Sequence, residues 1–440
     1  MHTLMDRQRM ETTKGANART DRFGNPVDPT VGYARGEILK SSVEERQRLV
    51  HAQRIATRRL ERQGRDSIAI FTGNLRTFPM QAERMPIVCD EWTGPGLVDE
   101  AFQDAAVRHV GGTRPMHTAT LLNRTSGGLI AAIGALSQGR PVVSAVPAAS
   151  KSHASVSRGS YAARVELVES DSAEGLRQAV ATHEPALVLI TTVSSNLDRL
   201  PEADIAAMVD ISRQRGAVVL IDDAYGARIR PILHGGAHAL ALGADLVITN
   251  CDKAGMVGPR AGLLAGRDAL VQRVAAKAAE FGSEARSPII AAVTESLQMF
   301  DPAWLREEAA MGEQLTVLFE RKFGRQRVLR SDLGPIIVED DLVEMVLERA
   351  GLKAADTSLV PAEVTSALGA ILLRDHGVLT TNTHGQPGAK VSLRLRPTPE
   401  GVERLGGLAA VVDAVERSLD TLAAMMRHPD AVASLVIGKE

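Results

Sequence analysis

DLVITNCDKAGMVGPRAG, residues 245–262, carries an apolar, β-branched run into a single lysine and then into a string of glycines. Its hydrophobicity is continuous rather than alternating, which reads as a strand covered on both faces. Lys253 therefore stands at a strand end, where open parallel sheets place their ligands. An ammonium desolvated there, near other positive charge, loses its proton more readily and becomes an amine available for a Schiff base. The glycines after it would leave room for a cofactor.

The same pattern recurs upstream. PVVSAVP, RVELVE, ALVLITTV and AVVLIDDA are short apolar runs that alternate with helical stretches such as AEGLRQAVATH and EADIAAMVDISRQRG. Such alternation predicts an α/β fold, a three-layer α/β/α large domain around a mostly parallel sheet. Beyond it the pattern changes to long helices over about 288–325. Then come the strand-like runs GPIIVE, GAILLRD and KVSLRLR and a last helix over about 399–427, which together predict a smaller α+β C-terminal domain. The resulting division is an N-terminal arm and basic helix over 1–80, a large domain over 81–300 and a small domain over 301–440.

Residues 1–40 are polar and punctuated by Gly and Pro, and read as an arm or loop. Residues 42–65 read as a helix with Ser42 as its cap, Leu49, Ala52, Ile55, Ala56 and Leu60 at helical spacing, and seven arginines from Arg46 to Arg65 on the other face. That face reads as solvated or as a subunit contact, with a phosphate or RNA contact as the alternative.

A net charge of -2 makes no demand for nucleic acid or a membrane, and 3% aromatic residues leave few rings on which to stack bases. The two cysteines, Cys89 and Cys251, are too few for a disulfide framework and too isolated for a structural zinc site, so no metal and a reducing cytoplasm are expected. No apolar run approaches the length of a membrane span or of a secretory signal.

Two further features fall at predicted strand ends. LLNRTSGGLIAAIGAL, residues 121–136, leads hydroxyls and glycines straight into an apolar helix, which suits either a phosphate cradle or plain helix capping. In VVLIDDAYGAR, residues 218–228, a buried strand runs into two carboxylates. Asp222 there needs a cation, hydrogen-bond donors or the following helix as a partner, and the pleat points Asp223 the other way. A phosphate cradle, a carboxylate for a cationic ring nitrogen and an amine for an aldehyde together describe a site for pyridoxal 5'-phosphate.

On these residues the chain resembles the fold-type-I pyridoxal-phosphate enzymes, the aspartate aminotransferase superfamily, over about residues 90–400. NRTSGG, SKSHAS, DDAYGAR and DKAGMVGPRAG are most similar to the selenocysteine-synthase branch, which includes the seryl-tRNA and phosphoseryl-tRNA selenium transferases. The resemblance implies that Lys253 forms the internal aldimine and that Asp222 pairs with the pyridinium nitrogen. Ser126 and Gly127 would hold the phosphate, with Thr125 and Arg260 as further candidates. It sets His153 where a residue stacks on the ring, against the plain reading of a surface histidine. It gives Tyr225 a hydrogen bond to the cofactor's phenolic oxygen, against core packing. Arg394 is favoured to clamp the substrate's α-carboxylate, with Arg396 second and Lys390 as a register alternative; solvated edge-strand charges are the plain reading.

The implied reaction runs through an external aldimine and an α-carbanion to β- or γ-elimination or replacement on a small amino acid, one with a phosphate- or nucleotide-like group being a variant the arginines could hold. An aminotransferase, a tRNA-linked selenium transferase and a non-catalytic regulatory module are the alternatives. A homodimer or higher homo-oligomer is expected, with nucleic acid disfavoured as a partner.

Overall fold

The structure, a computed structural model, describes residues 20–28, 30–148, 150–194, 197–388 and 391–439. Contacts group them into two interleaved units rather than three consecutive segments. One holds Ala69–Ile336 and Arg394–Ala409; the other holds the described residues up to Ile68, with Ile337–Leu393 and the chain from Ala410 onward.

The first unit is built on a seven-stranded sheet of β1 (His117–Leu122), β2 (Val142–Ala145), β3 (Leu167–Ser170), β4 (Leu187–Thr191), β5 (Val218–Asp222), β6 (Leu246–Asn250) and β7 (Gly262–Arg267). Their order across the sheet is β1-β7-β6-β5-β4-β2-β3. Strand β7 is antiparallel to both of its neighbours, and the remaining pairs are parallel. Strands β2 to β6 coincide with the five runs read from the sequence, β3 extending one residue beyond RVELVE. HTATLL is half polar and GLLAGR is rich in glycine, so neither β1 nor β7 carried that signature.

Around the sheet lie α1 (Gly94–His109), α2 (Thr125–Leu136), α3 (Ala154–Ala163), α4 (Ala173–His183), α5 (Glu202–Arg213), α6 (Gly226–Leu233), α7 (Asp268–Glu280), α8 (Ser287–Met299) and α9 (Pro302–Phe323). Val188, Ile190, Val219 and Ile221 pack with Phe102 of α1, Val180 of α4, Ile205 of α5 and Val293 of α8. The alternate residues Leu187, Leu189 and Leu220 pack with Ile133 of α2, Val156 of α3 and Val274 of α7. Both faces of the sheet are therefore covered, which gives the three layers. Each of these side chains contributes about 1.5–3 kcal/mol by leaving water.

In the second unit, helix Ser42–Gln63 is capped by Ser41, whose oxygen accepts from Val43 N at 3.0 Å, one residue before the expected cap. Its basic face is not uniformly solvated. Arg48 is buried and donates to the carbonyls of Asn382, Thr383 and Gly385, while Arg46, Arg54, Arg58, Arg62 and Arg65 are exposed. Part of the predicted arm is also packed: Tyr33, Ile38 and Leu39 are buried, and Glu363 accepts from the N–H groups of Ile38 and Leu39. Residues 1–19 of that arm lie outside the described residues.

GAILLRD, expected as a strand, is the second half of helix Pro361–His376. Proline opens that helix, and its residues are buried from Pro361 to Leu373, so no polar face was left to betray the helical period. KVSLRLR contributes only the short strand Leu393–Arg394, and the expected last helix is broken at Gly406 and Gly407 into Pro399–Leu405 and Leu408–Met425. Strand Gly334–Ile337 stands where GPIIVE predicted one. Among the described residues no helix is long and apolar enough to cross a membrane.

Candidate active site

The ends of three adjacent parallel strands meet at the site. Thr191 of β4 is in register with Asp222 of β5, and Asp222 with Ile248 of β6. Beyond β6 the chain turns at Lys253, Ala254 and Gly255, and the last two residues have left-handed backbones, with φ of 53° and 79°. A side chain in that region costs free energy, a form of strain that clusters at functional sites.

The pleat separates the two carboxylates. Asp223 is fully buried, accepts Nη1 and Nη2 of Arg230 at 3.0 and 2.7 Å, and accepts the Thr192 hydroxyl. It is a structural ion-pair partner. Asp222 is buried too, yet its Oδ1 has no hydrogen-bond partner among the described residues. Burial, and then the neighbouring Asp223, raises its pKa to about 6 against the opposing pull of Lys253.

Lys253 is half-buried by surface area but densely surrounded, and burial is the main cause that lowers its pKa, with Arg76 and Arg394 adding to it while Asp252 and Asp222 oppose. Its Nζ lies 4.8 Å from the centre of the Tyr225 ring, and the Arg396 guanidinium carbon lies 4.5 Å from the same centre. Arg396 Nη1 also donates to the Tyr225 hydroxyl. That hydroxyl is thus engaged by an arginine, and the ring lies against two cations.

Arg394 and Arg396 are both buried, which removes the reading of solvated edge-strand charges. The backbone N–H of Arg396 donates to Phe71 O, and its side chain crosses Gly73 so closely that a Cβ there would lie 2.7 Å from Arg396 Cδ. Lys390, the register alternative, lies outside the described residues.

Helix α2 begins at Thr125 behind an extended Arg124 whose side chain makes no capping bond, so the first N–H groups of the helix remain available to an anion. Thr125, Ser126 and Gly127 are half-buried there. Gly262, the start of β7, touches this turn, and a Cβ on it would lie 2.4 Å from Thr125 N. The glycine therefore admits the helix start rather than a cofactor, which corrects the first reading of GMVGPRAG. Arg260 is half-buried just before it; burial, then Arg76, lowers its pKa to about 10. His153 caps α3, its Nδ1 accepting from Ser155 N at 3.2 Å. His153 is exposed, and desolvation followed by Lys253 lowers its pKa to about 4.

Sequence reasoning missed Asn74, Arg76 and Asp252. Asp252 is buried, and its Oδ2 accepts Arg76 Nε at 2.9 Å and Asn74 Nδ2 at 3.1 Å. FTGNLRT has neither helical nor strand periodicity; the only available signal was an acid directly beside the lysine.

These residues fit pyridoxal 5'-phosphate. The orphaned, buried Asp222 Oδ1 calls for a cationic donor, the α2 turn with Arg260 suits a phosphate, and a densely surrounded amine stands nearby.

Residues 93–405 match the aminotransferase class I and II family. A UPF0425 pyridoxal phosphate-dependent protein of Methanothermobacter thermautotrophicus is 31% identical over 402 residues, covering 91% of this chain and 100% of the relative. A UPF0425 pyridoxal phosphate-dependent protein of Methanococcus maripaludis is 30% identical, covering 86% and 99%. Among solved structures, alanine-glyoxylate aminotransferase from Nostoc sp. aligns with a TM-score of 0.55 at 15% identity over 80% of this chain and 95% of that one. The SepCysS-SepCysE N-terminal domain complex aligns at 0.56 and 14%, over 83% and 98%. With a family match spanning most of its length and relatives aligned nearly end to end, this chain belongs to the aminotransferase class I and II family and has the fold of the type-I pyridoxal-phosphate enzymes.

Proposed function

We propose that the chain is a pyridoxal-phosphate-dependent enzyme that works at the α-carbon of a small amino acid and eliminates or replaces a substituent at the β- or γ-carbon. The observation that carries the cofactor assignment is Asp222 Oδ1, buried at a strand end without a hydrogen-bond partner among the described residues and within the electrostatic influence of Lys253. When bound, the cofactor supplies an aldehyde for an amine and a ring that withdraws electrons from the α-carbon.

The chain's own residues supply the rest. Asp222 keeps a proton on the ring nitrogen. The lowered pKa of Lys253 makes it a better base near neutral pH than a surface lysine, able to take the α-proton and return it. The α2 turn, with Thr125, Ser126, Gly127 and Arg260, holds phosphate, and His153 stacks on the ring. Arg394 takes the α-carboxylate, with Arg396 as the second candidate. Tyr225, whose hydroxyl is engaged by Arg396, orients that arginine and packs on Lys253.

The elimination or replacement outcome is supported by the motif likeness of NRTSGG, SKSHAS, DDAYGAR and DKAGMVGPRAG. The family match to aminotransferases favours transamination as the second reading. Incubation of the holoenzyme with amino acids that carry a β- or γ-leaving group separates the two. Elimination releases the leaving group with keto acid and needs no amino acceptor; keto acid formed only with an amino acceptor, with the leaving group retained, would establish transamination instead.

A further inference from the structure

We propose that Arg76, together with Arg124, forms a second anion subsite beside Lys253, and that the amino-acid substrate ends its side chain in an oxyanion. The inference rests on the cofactor reading above and narrows its substrate.

Arg76 is held where its backbone does not favour it. Its φ of 54° is left-handed, a state that costs a side-chain-bearing residue on the order of 1 kcal/mol or more. Several contacts maintain it. Nε donates to Asp252 Oδ2 at 2.9 Å, and Asn74 Nδ2 donates to the same oxygen at 3.1 Å. The next residue, Thr77, donates to Val257 O from its N–H at 2.9 Å and from its hydroxyl at 2.6 Å. The loop that presents Arg76 is thus stitched to both ends of the lysine turn.

Among the described residues, only the Nε edge of the guanidinium is used in this way. The side chain stays 36% exposed, so its outer edge can meet a ligand already oriented by Asp252. Asp252 precedes Lys253 directly and the charge of Arg76 bears on the Lys253 amine, which sets an anion on Arg76 beside the amine that a substrate displaces.

Arg124 and Arg260 share the neighbourhood. Gly262 packs against the backbone of Arg124 and Thr125, bringing the Arg260 segment onto the start of α2. Arg124 and Arg260 each feel the charges of Arg76 and Asp252, while Arg76 alone is hydrogen-bonded to that carboxylate, so positive charge outnumbers negative around it. A cofactor phosphate held by the α2 turn and Arg260 leaves Arg76 and Arg124 with positive charge to be met. If Arg76 only anchored Asp252, its loss would weaken every substrate alike. An anion subsite instead discriminates among them, favouring a side chain that ends in phosphate, with nearly two negative charges at neutral pH, over one that ends in sulfonate or carboxylate, with one.

The test titrates the wild-type holoenzyme with O-phospho-L-serine, L-cysteate, L-aspartate and L-serine while following the absorbance of the bound cofactor. The anionic amino acids should bind at least about tenfold more tightly than L-serine, the size expected of one or two charge-assisted hydrogen bonds. Inorganic phosphate should compete with O-phospho-L-serine more strongly than with L-serine. Arg76→Gln should collapse the affinity ratio, and Arg76→Lys should restore part of it. If Arg76→Gln does not load cofactor, Arg124→Gln and the wild-type competition decide the matter. Equal affinities in a wild type with normal cofactor absorbance would overturn the subsite alone. A wild type that shows no lysine-linked absorbance would overturn the cofactor reading and the subsite with it.

Discussion

Asp222 and Asp223 are adjacent, both buried, and set to opposite tasks by the pleat of one strand. The sequence predicted that only one would face the site, but the guanidinium that claims Asp223 was legible only as another arginine in GARIR. The two should respond differently to mutation. Asp223→Ala leaves Arg230 as an uncompensated buried charge and should cost about 3–5 kcal/mol, measured by urea unfolding of the apoprotein. Asp222→Asn should do the reverse in the apoprotein. The raised pKa of Asp222 means that its folded form binds protons more tightly than the unfolded chain, so its contribution is fully present below about pH 4 and is lost as pH rises through about 6. The asparagine variant should therefore be more stable than wild type above pH 6, by up to ~2–3 kcal/mol, and indifferent below pH 4. It should also hold cofactor at least about tenfold more weakly, since a neutral amide replaces a charged partner. An Asp222→Asn apoprotein no more stable than wild type at pH 8 would show that the carboxylate is already satisfied.

Elements differ in how much of themselves the sequence discloses. Strands β2, β4, β5 and β6 were legible because burial on both faces leaves a largely apolar run of strand length, whereas β3, at the sheet edge, is only half-buried and exposes Glu169. The same logic misread GAILLRD, because a helix buried all round shows no period either. Strand β7 was hidden in GPRAGLLAG, where glycine lowers strand propensity but is required by its neighbour. Gly262→Ala tests that requirement: its Cβ would press on the first turn of α2, so affinity for cofactor should fall by about tenfold or more while the far-UV circular dichroism is retained. Unchanged affinity, read by equilibrium dialysis, would separate that turn from phosphate binding. The loop at 72–77 lay beyond sequence reasoning altogether. It has no period, and its meaning comes from Asp252 and Val257, residues remote in the chain.

For the whole molecule, the α/β class and the three layers were readable from order and spacing, and the lysine, carboxylate and helix start singled out in the sequence each lie just at or beyond a strand end. The interleaving of the two units was not, because nothing local marks that residues 394–409 return to the sheet unit. Assembly is a prediction at this scale. A homodimer or larger assembly is expected at working concentration, and sedimentation showing an active monomer would contradict it. The central claim is tested most directly by reducing the cofactor-loaded protein with borohydride, digesting it and locating the pyridoxyl group by mass spectrometry. The label should fall on Lys253, in the peptide that contains ITNCDK. A label on another lysine, or none on protein that has bound the cofactor, would contradict it.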